Sequence, residues 1–445
     1  MKIQGYSISG VPCLKNGDAR SVTQEIIHTM EELGVDTSNI VGLVFDTTSV
    51  NSGIHQGVVV QLQRYFGRDL LELACRHHIA ELVSGAACST VYGDTESPRE
   101  NCFITFSKTW QQIDRSSYTL PCIKSPFLKN LQYQTVDFLT NFLNEDQCVL
   151  RDDYKELALL TLLYLGGSMP KDVPIYAPGA QSHARWMSKI IYSIKIALFR
   201  DQLHDVFKLE LLKKITTLVT FLTLFYVQYW FCSTSAVNAP ELDLNLLKLL
   251  EEAKSKVKDT DMLEMITAAY SKLTNHLWYL SERLVPFSMF SHRVSDTEKS
   301  AMAKVLLKCN RENKPNSQQM PITDTFGKKK LRHFIGPDSW TFFDLFCGSQ
   351  PEFLAKPVKQ WRSDESYITL MEVVSPTKVV NDCAERVLGM VTNFHIDKIT
   401  RSEEQKSYLF QVVKELRSRQ KGTGEKTNVS KKMMKKNELQ IIILL

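Results

Sequence analysis

The chain has 445 residues, 43% of them hydrophobic and 23% charged, with a formal net charge of +5. That length supports a substantial core divided among two or three structural units, and so mild a basic balance does not by itself argue for a polyanionic partner, because affinity depends on where charges cluster. The ten cysteines include no Cys-x-x-Cys pair, which speaks against a disulfide framework or a zinc ribbon and leaves reduced, intracellular thiols as the expectation.

Met1-Lys2-Ile3-Gln4 opens no apolar h-region of a signal peptide. Lys2 to Ser9 instead alternates with period two and predicts a strand. Asp18 to Leu33 places Val22, Ile26, Ile27, Met30 and Leu33 on one helical face, and Gly34 stops it. Ile40 to Phe45 is a buried-strand run that ends on a single carboxylate, Asp46. Thr47 to Gly53 supplies turn residues and N-caps, after which Val58, Leu62, Tyr65 and Phe66 fall at helical spacing and Gly67 closes the helix. Leu70 to Ala74 reads as the next strand, and Cys75-Arg76-His77-His78 opens another helix. Strand, helix, strand, helix, strand indicates an α/β sheet layered with helices, entered in mid-fold because its first strand starts at Met1.

Beyond about Ser89 the pattern turns helical. Helices are expected at Phe103–Ile113, Leu128–Leu143, Tyr154–Leu165, Ala184–Phe199, Leu209–Phe231, Leu242–Lys258 and Met262–Leu284. Ile215 to Cys232 carries no charge but holds four Thr and one Gln, so it reads as a buried helix rather than a membrane span. Arg311 to Lys330 is polar and basic and reads as an exposed loop, whereas Trp340 to Phe343 reads as buried. Val379–Phe394 and Ser402–Arg419 look like two terminal helices, the second opening on a Ser402-x-x-Gln405 capping box. Nine Lys or Arg lie between Lys414 and Lys436, a stretch that reads as a solvated tail, a nucleic-acid contact or a nuclear-targeting patch. No physical reason in the sequence accounts for the terminal Ile-Ile-Ile-Leu-Leu.

The expected organisation is an α/β part over residues 1–88, a mostly helical unit over 89–371, terminal helices over 372–420 and a basic disordered tail over 421–445. Four places carry candidate chemistry, each with a plainer alternative. Asp46, at the end of a buried strand, is either a ligand for a hard cation or the cap of a turn. Cys75, His77 and His78 lack a second ligand pair for zinc, which favours core packing or orientation of a neighbouring acid. Arg185-Trp186 follows a Pro/Gly loop at a helix start and could take a phosphate and stack on a base, or simply pack there. Glu385-Arg386 could be no more than an ion pair.

Taken in order, Phe45-Asp46-Thr47-Thr48-x-x-Asn51-Ser52-Gly53, Cys75-Arg76-His77-His78, His183-Ala184-Arg185-Trp186 and Asp382-Cys383-Ala384-Glu385-Arg386 resemble the hAT superfamily of DNA transposases, and more closely the hAT-like transposase-derived proteins of invertebrate genomes. The resemblance spans nearly the whole chain; each motif is short, and their order carries it. It implies an RNase H-like mixed sheet interrupted by a large all-α insertion domain, with an Asp-Asp-Glu triad that holds Mg²⁺ or Mn²⁺ for DNA cleavage and strand transfer. On that resemblance Asp46 and Glu385 are metal-binding catalytic acids, His78 lies near the scissile phosphate, and Cys75, Arg185 and Trp186 belong to the DNA-binding set. Residues around Glu385 depart from the family's Ser-x-x-Ser-Glu-Arg signature. The family's first acid would precede the strands present here, so the expectation is an N-terminally truncated, inactive, nuclear, DNA-binding chain. The alternative is a co-opted, non-catalytic scaffold for DNA or protein that dimerises through its helices as a homo-oligomer.

Overall fold

The computed structural model describes residues 16–93, 101–144, 152–168, 175–178, 185–311, 325–348, 350–380 and 440–443. Helix α1 (Ala19–Leu33) starts where the Asp18 carboxylate accepts the Ser21 amide at 2.9 Å, and it stops at Gly34, whose φ of 63° is left-handed. Strand β1 (Ile40–Phe45) is buried along its whole length. A short α2 (Ser49–Ser52) and then α3 (Val58–Phe66) cross over to β2 (Leu71–Ala74), which pairs in parallel with β1, Gly42 facing Leu71 and Phe45 facing Ala74. A parallel pair needs such a crossover, because a tight turn cannot bring the chain back to the same end of the sheet.

After α4 (Arg76–Tyr92) the described chain is helical: α5 (Asn101–Thr109), α6 (Pro126–Asn144), α7 (Asp152–Tyr164), α8 (Arg185–Leu198), α9 (Leu209–Phe221), α10 (Val227–Cys232), α11 (Ala239–Lys256), α12 (Thr260–Thr274), α13 (Asp296–Lys308), α14 (Ser339–Cys347), α15 (Val358–Trp361) and α16 (Glu365–Val374). The molecule is thus mostly helical around a small parallel sheet. Strand β3 (Gln440–Ile443) lies on the far side of β1, also in parallel, giving the order β2-β1-β3. Four residues expected in a disordered tail are therefore a strand. Their β-branched run supplies backbone partners to the edge of β1 opposite β2. All described strands pair in parallel, where a mixed sheet was expected; the strand expected at Lys2–Ser9 and the helices expected around Glu385 and Ser402 lie outside the described residues.

The sheet separates two cores. Alternation along β1 sends Leu43 and Phe45 to a small cluster with Val58, Val59 and Leu62 of α3 and Met30 of α1. Val44, with Leu71 and Leu73 of β2, faces the opposite way into the large core built by α4 and the helices beyond it. The boundary expected near residue 88 falls inside α4, which continues to Tyr92, and that core is continuous across it.

Two helices depart from the sequence reading. The apolar run Leu209–Cys232 is one largely buried helical rod, but its middle, Leu222–Tyr226, is a π-turn. There the Thr223 hydroxyl donates to the Val219 carbonyl at 2.7 Å, competing with the regular ladder. Helix α12 ends at Thr274, short of the expected Leu284, and short 3-10 turns at Trp278–Leu280 and Val285–Phe290 follow. The break brings Trp278 edge-on to Phe45, ring centroids 5.8 Å apart, and lets the Tyr279 hydroxyl donate to the Ala74 carbonyl at 2.5 Å. Contacts to the sheet override the helical period there.

Candidate functional site

Asp46 follows directly on β1, at the carboxyl edge of the sheet, and is half-buried. Its Oδ1 accepts the Thr48 amide at 3.1 Å, the Thr48 hydroxyl at 2.6 Å and the Asn51 side-chain amide at 2.8 Å. This is an Asx turn, the plainer of the two roles open to this residue. Among the described residues no hydrogen bond reaches Oδ2, so that oxygen is what Asp46 can offer a ligand. The turn continues into a tight loop in which a Cβ on Gly57 would meet the Asn51 carbonyl at 2.6 Å and the Gly53 nitrogen at 2.5 Å. Only glycine fits there.

Next door, the ladder between β1 and β2 runs one residue past the strands, and the Cys75 amide donates to the Phe45 carbonyl at 2.7 Å. That bond fixes the start of α4 beside Asp46. The four residues of Cys75-Arg76-His77-His78 then diverge. Cys75 is buried. The His77 ring is buried and stacked on Trp230, centroids 3.9 Å apart and planes 9° from parallel, with Tyr154 edge-on at 6.1 Å. It is a core aromatic. His78 is the partly exposed member, its Nδ1 3.8 Å from a Glu81 carboxylate oxygen. His276 of the α12 end lies close enough to His78 to feel its charge; burial first, then Lys272, then His78, push the His276 imidazole down to about 4.

Comparison with protein-family models, curated proteins and solved structures finds no match in any of the three. The site is therefore assessed on its own geometry. A two-metal phosphodiester site needs several carboxylates around paired cations. Among the described residues no group of three or more His, Cys, Asp or Glu side chains is placed to hold a metal ion. Asp46 alone supplies one open carboxylate oxygen, which does not make a divalent-cation site without further acids. Glu385, with Asp382 and Arg386, lies outside the described residues. The backbones of Arg185 and Trp186 form the start of α8, as expected, but their side chains lie outside the described set.

A fully buried ion pair lies beside this edge, and it stands out little in the sequence. Arg76 is fully buried, its Nη2 2.5 Å from Oδ1 of Asp243 on α11. The Tyr229 hydroxyl donates to the same oxygen at 2.8 Å, and the guanidinium lies over the Tyr229 ring at 4.9 Å and the Tyr279 ring at 5.8 Å. Burial pushes the Asp243 carboxyl up against the downward pull of Arg76, and burial followed by Asp243 pushes the Tyr229 phenol up. Desolvation is the largest single influence on Arg76 and would lower it, but Asp243 together with Tyr229 and Tyr279 more than offsets it and holds the guanidinium charged. The one signal available in sequence is Asp243 itself, an acid at helical spacing with the buried Ala239, Leu246, Leu247 and Leu250.

Proposed function

We propose that this chain is a DNA-binding protein of hAT-transposase descent, built on an RNase H-like core interrupted by the helical mass from about residue 89 to 371. The observation that carries the reading is the placement of Asp46 and the start of the Cys-x-x-His segment side by side at one carboxyl edge of a parallel sheet, tied by the bond from the Cys75 amide to the Phe45 carbonyl. Ligand crevices of open α/β sheets lie outside the carboxyl ends of their strands. The ancestral chemistry is metal-dependent DNA cleavage and strand transfer, with Asp46 and Glu385 as ligands, His78 at the scissile phosphate and Cys75, Arg185 and Trp186 on the DNA. When bound, Mg²⁺ or Mn²⁺ supplies Lewis-acid stabilisation of the attacking and leaving oxygens. In the present protein Asp46 serves first as the cap of its own turn. We read it as binding DNA, in the nucleus, without cutting it.

The test is incubation of the purified chain with duplex DNA and Mg²⁺ or Mn²⁺, alongside Asp46→Asn. The expected result is salt-dependent binding that is indifferent to the substitution and to metal, with the DNA left intact. Cleavage abolished by Asp46→Asn would replace the non-catalytic reading with an active enzyme. No binding at low salt would remove the DNA reading altogether.

A further inference from the structure

The basic stretch at the end of the loop from Arg311 to Lys330 is not a loose tail on its described side. Phe326, Leu331 and Phe334 are buried, and between and beside them Lys328, Lys330 and His333 are exposed while Lys329 is half-buried. Backbone bonds from the Lys329 amide to the Phe326 carbonyl and from the His333 amide to the Lys330 carbonyl, each 2.9 Å, hold the segment in a fixed path. The Phe326 amide is pinned to Glu251 of α11 at 2.8 Å.

Charges from neighbouring elements converge on this segment. Burial lowers Lys248 of α11, Glu298 opposes that and Lys330 adds to it, and Lys254 of the same helix sits 3.5 Å from the centre of the Tyr270 ring. Two acids face the cluster, and both are engaged. Glu251 takes the Phe326 amide, and Glu298 of α13 takes the Arg332 guanidinium and its backbone amide. Among the described residues no carboxylate pairs with Lys328, Lys329 or Lys330. Burial and then Lys329 lower the His333 imidazole, with Arg332 and Lys330 adding to the same push against Glu298. Glu298 and Glu251 partly offset Lys248 and Lys254, but Lys328, Lys329 and Lys330 are held together with no acid paired to them among the described residues, and like charges so placed cost stability rather than add it.

We infer that this face, Lys248, Lys254, Lys328, Lys329, Lys330 and His333, is a phosphate-backbone contact for double-stranded nucleic acid. Its apolar residues, Phe326, Leu331, Phe334 and Ile335, are all turned inward. It therefore offers charge without the apolar centre that a protein interface buries, and a polyphosphate backbone needs charge alone. Its cations are lysines, point charges suited to phosphate attraction rather than to the forked base-edge contacts of arginine. The inference rests on the DNA-binding reading above and adds where the duplex lies: on the helical part, at lysines outside the sequence motifs around Asp46.

The experiment measures binding of the full chain to a labelled duplex of arbitrary sequence as salt is raised. It compares Lys328→Gln/Lys329→Gln/Lys330→Gln with a control, Lys208→Gln/Lys213→Gln/Lys214→Gln, that removes equal charge at the start of α9. Each lysine that neutralises a phosphate adds about 0.9 to the slope of log affinity against log salt. The slope of the first variant should therefore be shallower than wild type by between about 2 and 3, and that of the control by less than about 1. Both sets carry exposed or half-exposed side chains, and unchanged thermal unfolding confirms that each variant folds. A wild-type chain that binds duplex while the two variants behave alike overturns this site and leaves the DNA-binding reading standing. A wild-type chain that binds an acidic polypeptide but no duplex overturns both.

Discussion

The turn after β1 and the junction after β2 lie at the same edge of the sheet, yet they are built in opposite ways. Asp46 is half-exposed and, among the described residues, bonded only to Thr48 and Asn51, both within five residues of it. Arg76 is fully buried and bonded to an acid 167 residues away. The first is local, polar and nearly self-contained; the second ties the sheet to α10, α11 and the turn that carries Tyr279. A local cap can be altered without moving its surroundings. A buried charge pair cannot, because removing either partner leaves the other's charge in the core without its counter-charge. Among the described residues Nε and Nη1 of Arg76 and Oδ2 of Asp243 find no hydrogen-bond partner, so the junction specifies position more than it adds stability.

The largest expected effect follows from that asymmetry. Asp243→Ala or Arg76→Ala strands a charge in the core and should cost about 3–5 kcal/mol in urea unfolding, enough to leave much of the chain unfolded. Replacing both partners, as Arg76→Met with Asp243→Leu, should give a protein more stable than either single variant, since neither charge is left behind. A single substitution costing less than about 1 kcal/mol would show that the pair is already wet and that the contrast with Asp46 is overstated.

What is legible in the sequence divides along the same line. The helix from Ala19 to Leu33, its stop at Gly34, β1, α3 and β2 rest on signals within a few residues, and they appear where the sequence places them. At Asp46 both roles can be read, and the turn-capping one is realised with partners inside the same motif. His77 cannot be told from His78 by spacing; a stack on Trp230, more than a hundred and fifty residues later, sets its role. The early end of α12 depends on Trp278 and Tyr279 reaching the sheet, which a period of 3.6 does not encode. The strand at Gln440–Ile443 is equally hidden, since a short apolar run becomes a strand only where an open sheet edge exists to pair with it. No local pattern announces that Arg76 meets Asp243. An acid on an apolar helical face is the one available hint.

A second, smaller effect should appear in the pH dependence of stability, again on the α4 side. The folded His276 imidazole sits at about 4, below its ordinary 6.5. The unfolded chain therefore takes up this proton first as pH falls. The contribution of His276 is fully present above about pH 6.5, declines between 6.5 and 4, and is gone below. Because the side chain is only partly buried, solvent screening should limit the loss to on the order of 1 kcal/mol. Thermal unfolding across that window, compared with His276→Gln, reads it directly. Superimposable profiles for the two proteins would show that His276 protonates in the folded state without penalty.

The smallest effect is the most informative about Asp46. Asparagine keeps an Oδ1 that can accept from the Thr48 amide and hydroxyl and from the Asn51 side chain, and as a cap it ranks with aspartate. Asp46→Asn should therefore cost less than about 1 kcal/mol, whereas Asp46→Ala, which leaves the three donors without an acceptor, should cost between about 0.5 and 2. Paired denaturation curves for the two variants decide the matter. If Asn and Ala are equally harmful, the negative charge rather than the acceptor geometry matters at this position. The turn would then no longer be the self-contained element that sets it apart from the buried pair at Arg76. If Asn is nearly neutral, the charge of Asp46 is not needed to build the turn, and any requirement for that charge in a DNA assay belongs to function.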